Sequence, residues 1–142
     1  MVIVSHRGNL SGPASDQNTP EALSRAASIC YCELDLWVKK DKLYLGHDEP
    51  ASKITSKFLQ NKNFIIHAKN LEAVNYLSKT NLHWFWHNND KLTITSKGVL
   101  WCFPDIYVDN GITVVHGNDF KLDSYGLCTD YPLELISRLA KL

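Results

Sequence analysis

The sequence predicts an α/β fold in which a parallel sheet closes into a small (β/α) barrel. Three observations lead there. Short apolar runs alternate with short amphipathic segments along all 142 residues, the pattern of a parallel sheet with crossover connections. The intervals between runs leave room only for stub helices or loops. Polar, titratable residues follow one run after another, and the carboxyl ends of parallel strands are where such proteins build sites.

The elements follow in order. Residues 2–5, "VIVS", form the first strand. "NTPEALSRAAS" is a helix, with Thr19 as N-cap, Pro20 at the first helical position and Glu21 behind it. Residues 31–38, "YCELDLWV", alternate as a strand; "KKDK" turns the chain and "LYLG" returns it as a hairpin. "ITSKFLQ" suits a short helical turn capped by Thr55 or Ser52. "NFIIHAK" is a strand, "NLEAVNYLSK" a helix of under three turns, and "HWFWH" another strand. "LTITS" opens a stub of helix. "GVLWCF", "GITVVHG" and "GLCTDY" are the last strands, and "PLELISRLAKL" is the closing helix. A typical (β/α)8 barrel needs about 250 residues. Seven or eight strands on this chain therefore give a compact, reduced TIM-like barrel with short or missing outer helices. Residues 1–142 are expected to form one domain.

The bulk composition excludes several classes. Fifteen basic residues balance fifteen acidic ones, so no nucleic-acid partner is indicated. The longest apolar runs, such as "FII" and "GVLWCF", fall far short of the roughly 20 residues of a membrane span. "MVIVSHRG" is too short and lacks the basic start of a signal peptide. A cytoplasmic location is the expectation. Cys30, Cys32, Cys102 and Cys128 fit neither a zinc ribbon nor a CxxC pair and read as reduced, mostly buried thiols. The oligomeric state is left open.

Residues i and i+2 of a strand share a face, so Glu33 and Asp35 point the same way. Adjacent carboxylates repel, and a divalent cation bound through their oxygens is the simplest stabiliser. Taken alone, the pair fits a solvated face equally well. The rest of the chain favours a site. His6 and Arg7 end the first strand, and His47 and Asp48 follow the hairpin return. His67 and Lys69 share a face at the end of "IHAK". His87, His116 and Asp130 end later strands. Two carboxylates for a metal, two histidines for acid and base, and an arginine and a lysine for an anion suit phosphoryl chemistry. No P-loop, GxGxxG or GxSxG element is present. Lys69 also has a structural reading, as partner of Glu33 or Asp35. Asn18, Trp37, His87, His116 and Asp130 are candidates for the cavity rim, and Asp130 alternatively orients a histidine. Trp84, Phe85, Trp86, Trp101 and Phe103 read as core.

His6-Arg7-Gly8, Gln17-Asn18-Thr19, Glu33-Leu34-Asp35, His47-Asp48, His67-Ala68-Lys69 and the terminal "CTDYP" together resemble the glycerophosphodiester phosphodiesterase family, a branch of the phospholipase-C-like TIM-barrel phosphodiesterases. The motifs are dense over residues 4–50 and thin at 65–70 and 126–132. The resemblance implies His6 and His47 as the acid–base pair. It implies Glu33 and Asp35 as metal ligands, with His67 at the third ligand position, and Arg7 and Lys69 on the phosphate. The implied reaction is hydrolysis of a glycerophosphodiester or similar small phosphodiester through a cyclic phosphate. Gln17 replaces a family glutamate. His67 replaces a carboxylate, which favours Mg²⁺, Mn²⁺ or a later transition metal and disfavours Ca²⁺ without excluding it. The loops that shape the glycerol pocket are mostly missing, so the alcohol groups stay undetermined. Two rival readings are a catalytically inactive phosphate- or phosphosugar-binding protein on the same scaffold and a metal-dependent phosphomonoesterase.

Overall fold

The computed structural model describes residues 1–142. In chain order the elements are β1 (Val2–His6), α1 (Pro20–Ala27), β2 (Tyr31–Lys39), β3 (Lys42–Leu45), β4 (Ser52–Ile54), β5 (Phe64–Ala68), α2 (Leu71–Leu77), β6 (Trp84–Phe85), β7 (Leu92–Ile94), β8 (Leu100–Cys102), β9 (Gly111–Val115), β10 (Gly126–Thr129) and α3 (Pro132–Leu139), with a 3₁₀ turn at Phe58–Gln60. They build one ten-stranded sheet. Its parallel part runs β6-β5-β2-β1-β10-β9-β8. β7 lies antiparallel on β8, and β3 and β4 extend antiparallel from the far half of β2.

This architecture corrects the expected TIM-like barrel. Strands hold 30% of the residues and helices of all kinds 18%, with only three α-helices, and the sheet is a curled half-barrel. α-Helices follow only β1, β5 and β10. The segments 103–110 and 116–125, which join β8 to β9 and β9 to β10, are non-helical. "LTITS" is not a helical stub. Its β-branched residues suit a pleated strand, and it forms β7, with Thr93 opposite Trp101. The sheet does not close, because β6 is two residues long and pairs only with β5. Its far ends meet instead at Ser96, whose N–H donates to the Trp84 carbonyl at 2.8 Å and whose Oγ accepts from the Trp84 N–H at 2.9 Å. The "ITSKFLQ" segment starts on Ile54, the last residue of β4, and only its end, Phe58–Gln60, is helical, as a 3₁₀ turn. Neither Thr55 nor Ser52 caps that turn with its side chain.

The predicted α1 is present. Thr19 accepts from the Ala22 N–H, Pro20 opens the first turn, and Ala22, Leu23, Ala26 and Ala27 are buried against the sheet. α2 is capped by Asn70, whose side chain also bonds both backbone groups of Val38. One face of the sheet carries Leu34, Leu36 and Ile66 under α1 and α2, and Leu127 under α3 with Leu135. The concave face carries Val4, Ile65, Phe85, Trp101, Ile112 and Cys128. All four cysteines are free, three of them buried. No helix is long and apolar enough to cross a membrane.

Strand alternation sets the site. In β2, Cys32, Leu34 and Leu36 go to the helix-covered face and are fully buried. Each buried leucine contributes about 1.5–3 kcal/mol, which offsets part of the cost of withdrawing the alternate residues, Glu33 and Asp35, from water. Parallel register then sets Glu33 beside His6 and Asp35 beside His67.

Candidate metal centre

Glu33 and Asp35, in the first half and middle of β2, converge with His67 near the carboxyl end of β5. Their nearest donor atoms all lie within 4.8 Å of one another. His67 Nδ1 is 3.2 Å from Asp35 Oδ1 and 3.8 Å from Glu33 Oε1. Two donors of a single ion with bonds near 2.1 Å stand roughly 3–4 Å apart, so this group could hold a metal ion. The chemistry of the donors fits one. His67 Nε2 lies 3.0 Å from the His87 carbonyl, which only accepts, so the Nε2 proton is spent there and Nδ1 faces the carboxylates. Glu33 Oε2 is buried without any hydrogen-bond partner. A cation among these atoms satisfies both features.

The electrostatics of the carboxylates diverge. Burial pushes the Glu33 carboxyl well above its ordinary range, the neighbouring Asp35 charge adds to this, and Arg7 and Lys69 only partly oppose it. Burial acts on Asp35 in the same sense. There it is outweighed by the hydrogen bond and charge of His67, with Lys69 and Arg7, so Asp35 is held well below the usual carboxylate range. Asn18 reinforces Asp35: its Nδ2 donates to Oδ2 at 3.0 Å, and its Oδ1 accepts from the Asp35 N–H at 3.1 Å. Asn18 is therefore a buried clamp on Asp35, not the rim residue expected.

A cavity of about 170 Å³ opens above the cluster, lined by His6, Arg7, Glu33, Asp35, His47, His67, His87 and His116, among others. Arg7 Nε stands 3.4 Å from Asp35 Oδ2 and has no hydrogen-bond partner. His6 Nδ1 is 3.0 Å from Asp130 Oδ1, and its Nε2 is 4.0 Å from Glu33 Oε2. Asp130 thus orients a histidine from behind. Burial raises its carboxyl, but the hydrogen bond and charge of His6, with Asn9 and Arg7, hold it below the ordinary value. His47 bonds Asp48 at 2.8 Å and remains partly exposed at the cavity edge.

Three further expectations resolve differently. Lys69 is not on the cavity wall; it is half-buried and near enough to lower both carboxylates. Trp37 does not line the cavity either. Its Nε1 donates to the Gly46 carbonyl at 2.6 Å and fastens the turn that carries His47. Phe85 and Trp101 are core residues, as expected, but they also floor the cavity, stacked on each other at 4.6 Å with His67 on Phe85 at 4.7 Å. Phe103 lies on the cavity wall and is exposed, as is Trp86. Asn9 is a further site residue that the sequence hardly marks. Its one signal is adjacency to His-Arg-Gly, and a polar loop residue ordinarily faces solvent.

No protein-family model, curated protein or solved structure matches the chain.

Proposed function

We propose that the protein is a metal-dependent phosphodiesterase acting on a glycerophosphodiester or a similar small phosphodiester with a neighbouring hydroxyl. The observation that carries this reading is the position of His6, Arg7 and His47 around one cavity with Glu33, Asp35 and His67 at its base. The motif resemblance to glycerophosphodiester phosphodiesterases supports it. Glu33, Asp35 and His67 would hold a divalent ion, Mg²⁺ or Mn²⁺ by the mixed oxygen and nitrogen donor set. Bound there, the ion supplies positive charge to the phosphate oxygens as negative charge builds on them.

The chain's own residues do the rest. Arg7 pairs with a non-bridging phosphate oxygen. His6 Nε2 takes the proton of the attacking hydroxyl as its oxygen bonds phosphorus. His47 gives a proton to the departing alkoxide as its P–O bond breaks. A cyclic phosphate and a free alcohol result. Water then opens the cycle, with the two imidazoles exchanging roles. His47, partly exposed, is placed to exchange its proton with solvent.

His6→Gln and His47→Gln test the assignment. Each is expected to lower kcat on a chromogenic diester by roughly 10²-fold or more, with the fold intact by circular dichroism. Full activity in both variants contradicts the reading. Faster turnover of the matched monoester assigns phosphomonoesterase activity instead.

A further inference from the structure

The loop after β1 carries a buried amide that belongs to neither the cavity wall nor the metal cluster. Asn9 is 2% exposed. Its Oδ1 accepts from the Ala14 N–H at 3.0 Å, and its Nδ2 donates to Gln17 Oε1 at 3.1 Å and to Asp130 Oδ1 at 2.8 Å. The reverse amide orientation would set a donor against the Ala14 N–H and an acceptor against a carboxylate, so the chemistry fixes this one. The backbone is fastened as well: the Asn9 N–H donates to the His6 carbonyl at 3.0 Å, and the Asn9 carbonyl accepts from Ser5 Oγ at 2.7 Å.

Asp130 Oδ1 therefore already accepts one proton from Asn9, and its next neighbour is His6 Nδ1 at 3.0 Å. A neutral imidazole carries one ring proton. Facing an ionised acceptor, that proton belongs on Nδ1, which leaves the lone pair on Nε2, on the side of Glu33. Gln17 suits its place in the chain. Its oxygen accepts from Asn9 without bringing a second negative charge next to Asp130.

We infer that Asn9 is a positioning residue: braced by Gln17 and Ala14, it holds Asp130 so that His6 keeps the Nδ1–H tautomer and presents Nε2 to the cavity. The catalytic consequence rests on the proposed phosphodiesterase reaction; the tautomer does not.

The test is nitrogen-15 NMR of the imidazole rings in the metal-free protein under conditions where His6 is neutral, with His6 assigned by the signals lost in His6→Gln. The wild type is expected to show a protonated Nδ1 and an unprotonated Nε2. The near-isosteric Asn9→Asp removes both donors and sets a carboxylate against Asp130, and His6 is expected to lose that preference. With it kcat on the diester falls roughly 10²-fold, while Mn²⁺ affinity by calorimetry stays within about threefold because no ligand is touched. Gln17→Met, which removes only the outer acceptor, covers the case in which Asn9→Asp does not fold; it should loosen the tautomer preference in part. A wild-type His6 protonated on Nε2 overturns the inference. So does a folded Asn9→Asp that keeps the Nδ1–H form. If the wild type turns over no diester, the functional reading fails while the tautomer still decides the brace.

Discussion

Glu33 is the residue at which fold and function conflict most sharply. It is fully buried, its Oε2 has no partner, and burial with the Asp35 charge raises its carboxyl well above the ordinary 4.5. A raised folded-state value means that the native state binds more protons than the unfolded chain. Glu33's contribution to metal-free stability is therefore fully present below the ordinary value and is lost as pH rises through the folded one. Glu33→Gln fixes the side chain in a neutral form of the same shape. Without metal the variant is expected to gain stability relative to the wild type as pH rises through the folded value of Glu33, and to lose the decline with rising pH. It should also lose metal binding. Thermal melts across pH, with and without Mn²⁺, check both halves; a variant that gains nothing on the metal-free wild type as pH rises contradicts this expectation. Glu33 and Asp35 were legible in the sequence because strand alternation is a two-residue rule. Asn9 was not, because a buried loop amide has the same one-letter code as an exposed one, and only the return of β10 beside β1 brings Asp130 to it.

At the scale of elements, the turn that ends β1 is the tightest junction. Arg7 and Gly8 both have positive φ, 57° and 82°, and a Cβ on Gly8 would meet the backbone of Ala22 at 2.9 Å and of Leu23 at 3.0 Å. The turn presses against α1, so neither atom set yields easily. Gly8→Ala is expected to cost about 2–4 kcal/mol, combining backbone strain with overpacking, and chemical denaturation measures it. A loss under about 0.5 kcal/mol would mean that α1 slides to accommodate the methyl group. Thr19, Pro20 and the apolar stripe of α1 were readable locally. β7 was not: "LTITS" is too short for a period to declare itself, and its strand state comes from pairing with β8. Barrel closure is illegible for a related reason. Closure is a ladder between strands far apart in sequence, and no local pattern reports that β6 stops after two residues.

For the whole molecule, the candidate metal centre joins elements distant along the chain, β2 and β5, with a backbone carbonyl beyond β6 holding His67. Ligand that binds only the native state stabilises it by about 2.7 kcal/mol at 100 times its Kd. At roughly 2–4 °C per kcal/mol for a domain of this size, saturating Mn²⁺ should raise Tm by about 5–10 °C. His67→Ala should lose most of that gain.

The function proposed for this cluster is phosphodiester cleavage. The most direct measurement is hydrolysis of bis(p-nitrophenyl) phosphate and glycerophosphocholine after chelation, with Mg²⁺, Mn²⁺ or Ca²⁺ returned singly. Turnover is expected to be abolished by chelation and restored by Mn²⁺ or Mg²⁺ more than by Ca²⁺. No turnover in a folded, metal-saturated sample, or turnover indifferent to chelation, would contradict it.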